Sequence, residues 1–458
     1  MKKKTISVSK TNTPTKKLLY WSLIVFFIKI LIIVNISIVN FQVSPNQIFK
    51  IDGIWLGADG ENYLKGYQAL LQDGVFSPAS ILNFWPAGYP LILLALSIFG
   101  QSWVLTTLSV LQSLIFSVAV YFFAVQLLKT RINKFVYLIF LLILLNPTLS
   151  LSSMVLGYES LVASGVLLST GIIIRDFIKK ENKNFTRSLI FYSVISGLII
   201  FLQPRMLVSS VIIMIYWVII RKGLRVGSYI VILSLMLTLL IPSTLIYRNQ
   251  KATGITSIST NLGATMNIGA GDKASGGYDD KNSGVNCDLS GSVSQQDSQR
   301  VKCVLSWYLD NPISSLKLFY NKSIYFWSPW SGPLTNGTMA RNPWLKINPV
   351  INISSTNEGI NLVNGGFGKL ISWLWLLIGV GLLFFGFLKL WIWGSFERIL
   401  GVMALIAVGS NWAISLITIG DHRFRLPIMG LSLMLQGVGL SVIFKGKSAK
   451  IAPNLPLR

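Results

Sequence analysis

Long apolar runs separated by short basic loops constrain the fold of this chain more than any other feature. The first run, residues 18–40, holds about 23 residues, enough to cross a bilayer as a helix. Charged residues make up 12% of the 458 positions and hydrophobic ones 52%, whereas soluble domains carry about a quarter charged residues. The sequence therefore predicts an all-α polytopic membrane protein.

About ten transmembrane helices are predicted from the apolar runs. A further apolar segment, residues 89–101, is too short to span and would be re-entrant, interfacial or the first part of the second span. The predicted spans are 18–40, 103–128, 135–151, 160–174, 188–203, 206–220, 226–246, 367–393, 399–419 and 426–444.

Positive charge predicts how these spans are oriented. The N-terminal segment, the tail and the loops at 129–134, 175–187 and 221–225 hold 21 Lys and Arg, against five in the outer segments 41–88, 204–205 and 420–425. The positive-inside rule then puts both termini in the cytoplasm. Much of the net charge of +24 follows from this topology, and we expect no nucleic-acid partner.

Five regions follow from this threading. Residues 1–17 form a basic cytoplasmic N-terminus and 445–458 a cytoplasmic tail, while 18–246 and 367–444 form the transmembrane parts. Two outer loops are long: 41–88, and 247–366, a large polar loop domain of mixed or irregular structure. The second holds Cys287 and Cys303, and the oxidising side of the membrane favours a disulfide between them over two free thiols.

The first outer loop carries two acidic residues next to an amphipathic pattern. Asp59 would sit at the N-terminal end of a helix over GENYLKGYQALLQDG, whose apolar stripe consists of Tyr63, Tyr67, Leu70 and Leu71. That helix would lie along the membrane surface, and NFWPAGYP then turns the chain back into the membrane. Glu61, two residues from Asp59, would point elsewhere on a helix.

Four motifs in order give the chain a resemblance to GT-C membrane glycosyltransferases, nearest to the protein O-mannosyltransferase and aminoarabinose-transferase branch. An acidic residue, Tyr and P-x-G-Y-P resemble that branch's first outer loop, and Asn146-Pro147 with Gly157-Tyr158-Glu159 resemble its second. DHRFRLPIMGLSLML (421–435) resembles its R-Y-R-L-P entry to a late span. The segment 247–278 resembles its R-N…S-T…G-G-Y segment through Arg248, Asn249, Gly254, Ser259, Thr260, Gly263, Gly269, Gly276, Gly277 and Tyr278.

The resemblance implies a reaction and an active site on the extracytoplasmic face of the cell (inner or plasma) membrane. Such enzymes pass a sugar from a polyprenyl-phosphate donor to a lipid, glycan or protein acceptor, here with inversion. Asp59 would be the general base for the acceptor hydroxyl, and Glu159 a second acid. Glu159 could assist the base, orient the acceptor or hold a metal, or be only an N-terminal carboxylate favoured by its helix dipole.

Basic and polar residues near the same face complete the predicted site. A departing phosphate needs fixed positive charge, which arginine supplies bidentately. Arg248, Arg205, Arg423 and Arg425 are therefore candidate donor-phosphate ligands, although each could simply end a helix or reach the interface. Candidate substrate-binding residues are Glu61, Tyr63, Tyr89, Asn249 and His422, the only histidine.

Metal use and two other functions stay open at this stage. The chain has no His/Cys cluster of the zinc type, but Asp59, Glu61 and Glu159 could hold one divalent cation through oxygens. A polysaccharide polymerase or ligase would use arginines in late outer loops and lack the acidic residue after the first span. A transporter would place its functional charges near the middle of the membrane, whereas the candidate charges here crowd the outer surface. Lys29, near the middle of the first span, has no evident partner.

Overall fold

The computed structural model describes most of the chain as helices. The described residues are 12–36, 39–44, 47–56, 59–179, 181–278, 283–328 and 366–443. Predictions for the N-terminal residues 1–11, for residues 329–365 of the large loop and for the tail 445–458 therefore fall outside them.

Seventeen α-helices follow one another through these residues, numbered here in chain order. They are α1 Asn12–Val34, α2 Gly60–Asp73, α3 Ile81–Phe84, α4 Gly88–Leu96, α5 Val104–Leu127, α6 Val136–Leu144, α7 Pro147–Leu151, α8 Glu159–Lys179, α9 Asn182–Leu202, α10 Met206–Lys222, α11 Leu224–Thr253, α12 Leu262–Ile268, α13 Val293–Asp310, α14 Pro312–Trp327, α15 Gly366–Trp393, α16 Ser395–Ile417 and α17 Met429–Ile443.

Seven described helices are long and apolar enough to cross a membrane, and a bent pair would make eight. The prediction of an all-α, multi-pass membrane protein is thereby confirmed. The count of ten stays a prediction, because α10 and α17 coincide with predicted spans but are shorter. The seven segments are Pro14–Val34, Gln101–Leu127, Glu159–Lys179, Asn184–Leu202, Leu224–Thr253, Trp373–Trp393 and Ser395–Ile417.

The bent pair joins α6 to α7 at Asn146-Pro147, where two helix axes differ by 53°. Proline disfavours helical backbone in the residue before it, so α6 ends there. Proline is also well suited to the first turn of a new helix. The Asn146 side chain caps α7 by accepting a hydrogen bond from the Leu149 amide at 2.8 Å. After this bend, α7 leads into the segment that contains Tyr158 and Glu159.

The spanning helices pack into one bundle with α8 near its centre, between α5 and α9. Glycine allows unusually close packing between α15 and α17. A Cβ on Gly386 would lie 1.8 Å from the Leu435 carbonyl oxygen, so a side chain there would force the helices apart. Small residues at such crossings are typical of membrane helices, whose association depends on close van der Waals contact.

Two small sheets organise the first long loop. Strands β1 Val39–Ser44 and β2 Gln47–Ile51 form an antiparallel hairpin. Strand β3, Trp55–Leu56, pairs in parallel with β4, Val155–Leu156, so that Leu56 faces Leu156. Asp59 and Glu159 each follow three residues after those paired leucines. The pairing therefore brings two distant acidic residues to the same place.

The predicted amphipathic helix of the first loop is α2. Asp59 is its N-cap residue, and Tyr63, Leu64, Tyr67 and Leu70 form its buried face. Leu71, which the pattern placed on that face, is only partly buried, and Leu64 is buried instead. The short apolar segment that follows is α4, which a turn at Gly100 separates from the second span.

The first part of the large loop is helical rather than irregular. Helix α11 continues seven residues beyond the predicted end of its span, and α12, α13 and α14 follow. A disulfide joins Cys287, in the extended segment before α13, to Cys303 within α13. Residues 329–365 of this loop lie outside the described part.

Candidate active site

The site residues predicted from the sequence gather at one end of the bundle. Helices α9 and α11 end there, and α8 and α10 begin there, so we call it the site end. The ion pair between Arg221 and Asp176 marks the opposite end, with a distance of 2.9 Å between Arg221 Nε and Asp176 Oδ2.

Three charged side chains from distant parts of the sequence meet at the site end. Arg423 donates from Nη2 to Asp59 Oδ2 and from Nε to Glu159 Oε1, the latter at 2.6 Å. Their relative exposures are 1% for Arg423, 4% for Asp59 and 2% for Glu159. One buried guanidinium therefore ties the first long loop to the start of α8; we call these three residues the charge triad.

Local structure fixes where Arg423 points. Residues His422–Ile428 form a 3₁₀ helix, and Asp421 Oδ1 caps it by accepting from the Arg423 amide at 2.9 Å. Burial alone would lower the pKa of Arg423, but the charges of Asp59 and Glu159 outweigh it and raise that pKa. Arg423 is therefore a permanent cation.

Tyr158 lies beside the triad and was quoted in a motif without being named as a site residue. Its hydroxyl accepts from Gln203 Nε2 at 2.9 Å and from Arg423 Nη2 at 3.5 Å. Burial raises the pKa of Tyr158 and keeps it a phenol. No described residue accepts its proton, so the hydroxyl can donate a hydrogen bond to a bound molecule.

Tyr63 and Tyr89 form the aromatic wall behind Tyr158. The Tyr63 ring centroid lies 4.9 Å from that of Tyr89 and 6.3 Å from that of Tyr158. The Tyr89 hydroxyl accepts from the Gly157 amide at 2.8 Å and donates to Gln112 Oε1 at 3.3 Å. Tyr89 therefore positions the residues that precede Glu159.

This support continues into the membrane as a buried polar layer. Gln112 Nε2 donates to the Ser153 carbonyl at 3.2 Å, and the Ser153 hydroxyl accepts from Lys29 Nζ at 3.1 Å. Lys29 also lies 4.2 Å above the Phe116 ring. The unusual lysine of the first span therefore contacts the segment that leads to Glu159, without a carboxylate partner among the described residues.

Two more arginines lie next to the triad. Arg205 lies over the Phe424 ring, with its Cζ 4.0 Å from the centroid, and burial lowers its pKa. Arg425 donates to the carbonyls of Trp327 and Ser328 at 2.8 and 3.0 Å, and burial lowers its pKa to about 10. Arginine is not deprotonated in proteins, so both side chains carry a positive charge.

His422 is neutral in this setting. Burial, with the charges of Arg425 and Arg423, lowers its pKa to about 3. Its Nδ1 is 3.7 Å from Asp421 Oδ1, which is too long for a hydrogen bond. The contact is therefore no ion pair.

Several buried donors at the site end lack a hydrogen-bond partner among the described residues. Unpaired buried donors are costly and call for an explanation. Because they belong mainly to arginines, an oxyanion such as a phosphate is the ligand that would satisfy them. The donors are Arg423 Nη1, Arg205 Nε, Arg425 Nε and the single ring N–H of the neutral His422, neither of whose ring nitrogens has a partner among the described residues.

Arg248 is engaged differently. Its guanidinium donates to the Val75 carbonyl, to Asn83 Oδ1, to Asn249 Oδ1 and to the Ser77 carbonyl. Four of its five N–H groups are thus occupied, and the residue anchors the first loop to α11. This geometry favours a scaffold role over the predicted phosphate contact.

Asn249 continues that scaffold. Its Nδ2 donates to the carbonyls of Ser257 and Ile258 at 2.7 and 3.1 Å. Arg248 and Asn249 therefore join the end of α11 to the first loop and to the segment that follows α11.

Glu61 and the disulfide lie apart from the triad. The Glu61 side chain is exposed on α2, whereas Asp59 is buried. Among the described residues, no three His, Cys, Asp or Glu side chains form a group that could hold a metal. A cation bound by Asp59 and Glu159 would need Arg423 to move, because its guanidinium contacts both.

Comparison of the chain with protein-family models, with curated proteins and with solved structures finds no match. The function must therefore be argued from the chemistry of the site.

Proposed function

We propose that this protein is a membrane glycosyltransferase that moves a sugar from a polyprenyl-phosphate donor to a lipid, glycan or protein acceptor. The reaction would take place at the site end of the bundle, on the predicted extracytoplasmic face. The observation that carries the proposal is the buried charge triad, with phosphate-competent donors around it. The sequence resemblance supplies the reaction type.

Asp59 is the general base in this proposal. An acceptor hydroxyl attacks the anomeric carbon, its proton passes to Asp59, and a new C–O bond forms. The bond from the anomeric carbon to the phosphate oxygen breaks at the same time, and polyprenyl phosphate leaves with the electron pair. Attack opposite to the leaving group inverts the configuration.

Arg423 links donor binding to the availability of this base. In the described structure the Arg423 guanidinium contacts Asp59 Oδ2. Arg423 Nη1 has no described hydrogen-bond partner and is free to bind a donor phosphate together with Arg205. If the guanidinium shifts toward that phosphate, it leaves Asp59 Oδ2, which can then accept the proton of the acceptor hydroxyl as the donor arrives.

Glu159 holds the other side of Arg423 through Nε at 2.6 Å. It would keep the guanidinium within reach of both the phosphate and Asp59. Tyr158 can donate to a sugar or phosphate oxygen.

The test compares glycans and glycolipids by mass spectrometry in cells that lack the protein and in cells rescued with variants. Asp59→Asn should fail to restore the missing sugar, while the wild type restores it. Glu61→Gln is the matched control, because Glu61 is nearby, acidic and exposed, and it should restore the sugar. An Asp59→Asn variant that rescues fully would refute the role of Asp59.

A polysaccharide polymerase or ligase is the second candidate. Its supporting observation is the central place of Arg423, a late-loop arginine of the kind such enzymes use. Rescue that survives Asp59→Asn but is lost in a stably folded Arg423→Lys variant would favour it. Polymer length in the same cells would then be the decisive readout.

A further inference from the structure

An apolar surface on the α13–α14 hairpin has no covering element among the described residues. On α14, Ile313, Leu316 and Tyr320 are 84%, 68% and 63% exposed, and Leu309 at the end of α13 is 82% exposed. Large apolar side chains grouped in this way mark an interaction surface. We call these four residues the hairpin surface.

The pattern along α14 shows that this exposure is one face of an amphipathic helix. Ile313, Leu316 and Tyr320 follow one another at spacings of three and four residues, which places them on one side. The opposite side is buried and consists of Ser315, Leu318, Lys322 and Phe326. Helix α14 therefore covers its inner side with the protein and leaves an apolar outer side.

Three hydrogen bonds fix the position of the hairpin along the axis of a spanning helix. Lys322 Nζ donates to the Leu416 carbonyl at 2.8 Å and to the Thr418 carbonyl at 2.6 Å. The Tyr308 hydroxyl donates to the Ile417 carbonyl at 3.1 Å. Both helices are thus tied to the last turn of α16, where a spanning helix leaves the membrane.

The hairpin surface is continuous with the apolar side of α16. Ser323, three residues after Tyr320 on the same face, accepts a hydrogen bond from Trp412 Nε1 at 3.1 Å. Trp412 and Leu405, one heptad apart on α16, are 37% and 41% exposed and belong to a segment that could cross a membrane. A tryptophan at this level is typical of the membrane interface.

We propose that the hairpin surface lies in the outer layer of the lipid bilayer on the site-end side of the membrane. Its apolar side chains would contact the upper parts of the lipid acyl chains. Lys317, which is exposed on the flank of α14, would reach the head groups. The partner is the membrane itself, and the proposal does not depend on the proposed reaction.

Such a contact would hold the large loop against the bilayer next to the charge triad. Arg425 already links the end of α14 to the 3₁₀ helix of Arg423, through the Trp327 and Ser328 carbonyls. A hairpin seated in lipid would therefore restrain the same segment that positions the triad.

Site-directed fluorescence tests the proposal in vesicles of phosphatidylcholine. Both native cysteines are in the disulfide, so one added cysteine carries the label. An environment-sensitive fluorophore is placed at position 313 through Ile313→Cys, and at 320 through Tyr320→Cys. Leu405→Cys on α16 is the lipid-exposed control, and Ser298→Cys, exposed near the start of α13, is the water-exposed control.

Nitroxide-labelled lipid should quench the labels at 313 and 320 several-fold more than the label at 298, approaching the quenching at 405. Aqueous iodide should show the reverse order. Iodide quenching at 313 and 320 equal to that at 298 would overturn the proposal. Labels reached by neither reagent would also overturn it, because they would indicate a protein cover.

A second variant separates lipid contact from misfolding. Leu316→Asp, with the label at 313, adds a charge to the surface at a side chain with few protein contacts. The midpoint of thermal unfolding in detergent should stay unchanged, while lipid quenching at 313 falls toward the value at 298. Unchanged lipid quenching would contradict insertion of this face.

Discussion

Replacing Arg423 with methionine should destabilise the protein strongly, because it removes the cation that compensates two buried carboxylates. Asp59 and Glu159 are 4% and 2% exposed, and Arg423 contacts both. Removing one partner of a buried ion pair costs about 3–5 kcal/mol, since it leaves an uncompensated charge. We expect a loss in the free energy of unfolding within that range.

A second change should restore much of the loss. Asp59→Asn alone leaves Arg423 paired with Glu159, and in the Arg423→Met background it removes one of the two uncompensated charges. The double-mutant cycle should therefore give a favourable coupling energy near the upper end of the usual range, about 2–3 kcal/mol. Unfolding in mixed micelles with increasing SDS, followed by tryptophan fluorescence, measures all four proteins.

Arg398→Met is the matched control. Arg398 is also an arginine at a helix end, but it is exposed, and among the described residues its side chain donates one hydrogen bond, to the Trp391 carbonyl at 3.3 Å. Its loss should change the free energy of unfolding by less than about 0.5 kcal/mol. If Arg423→Met costs no more than Arg398→Met, or if the coupling energy is near zero, the account of the triad as a compensated buried unit is wrong.

Three other perturbations test separate parts of the structure. The free energy of unfolding should fall as the pH drops below about 6.5. The unfolded chain then binds a proton at His422, whereas the folded protein does not, because its His422 pKa is lowered to about 3. His422→Gln should flatten this part of the pH profile of the melting temperature. Replacing Cys287 and Cys303 with serine should reduce the stability of the large loop by up to about 3 kcal/mol and leave the helical circular dichroism of the spans intact. A collapse of that signal would contradict a local role for the disulfide. Lys29→Met should leave the melting temperature unchanged or higher, because the lysine charge is buried without a described carboxylate, and a marked drop would show that its bond to Ser153 outweighs that cost.

Hydropathy and charge predicted the class of fold because a bilayer admits so few solutions. The same signals could not decide short helices. Helix α10 has 17 residues and α17 has 15. Both coincide with predicted spans, but they are too short to be assigned as membrane-spanning helices from length and composition alone.

The sequence singled out all three members of the triad but not their contact. Arg423 is separated in sequence by 264 positions from Glu159 and by 364 from Asp59. The strand pairing of β3 with β4, which brings the two loops together, is only two residues long on each side. No periodic pattern arises from so short a strand. That part of the site depends on the whole bundle.

Neighbouring arginines that look alike in the sequence have different partners. Arg423 and Arg425 are two residues apart, yet one contacts carboxylates and the other the carbonyls at the end of α14. The 3₁₀ helix separates their directions. Similarly, a helix-end position for Arg248 was predictable, while two of its acceptors, the Val75 and Ser77 carbonyls, belong to a loop whose path the sequence does not reveal.

Lipid bound to the purified protein offers the most direct test of the proposed transferase. Wild-type protein and Asp59→Asn would be isolated from native membranes and analysed by native mass spectrometry. We expect polyprenyl phosphate on the wild type and polyprenyl phosphate carrying one sugar on Asp59→Asn, which binds the donor but cannot transfer it. Finding no polyprenyl lipid on either protein would contradict the proposed transferase activity.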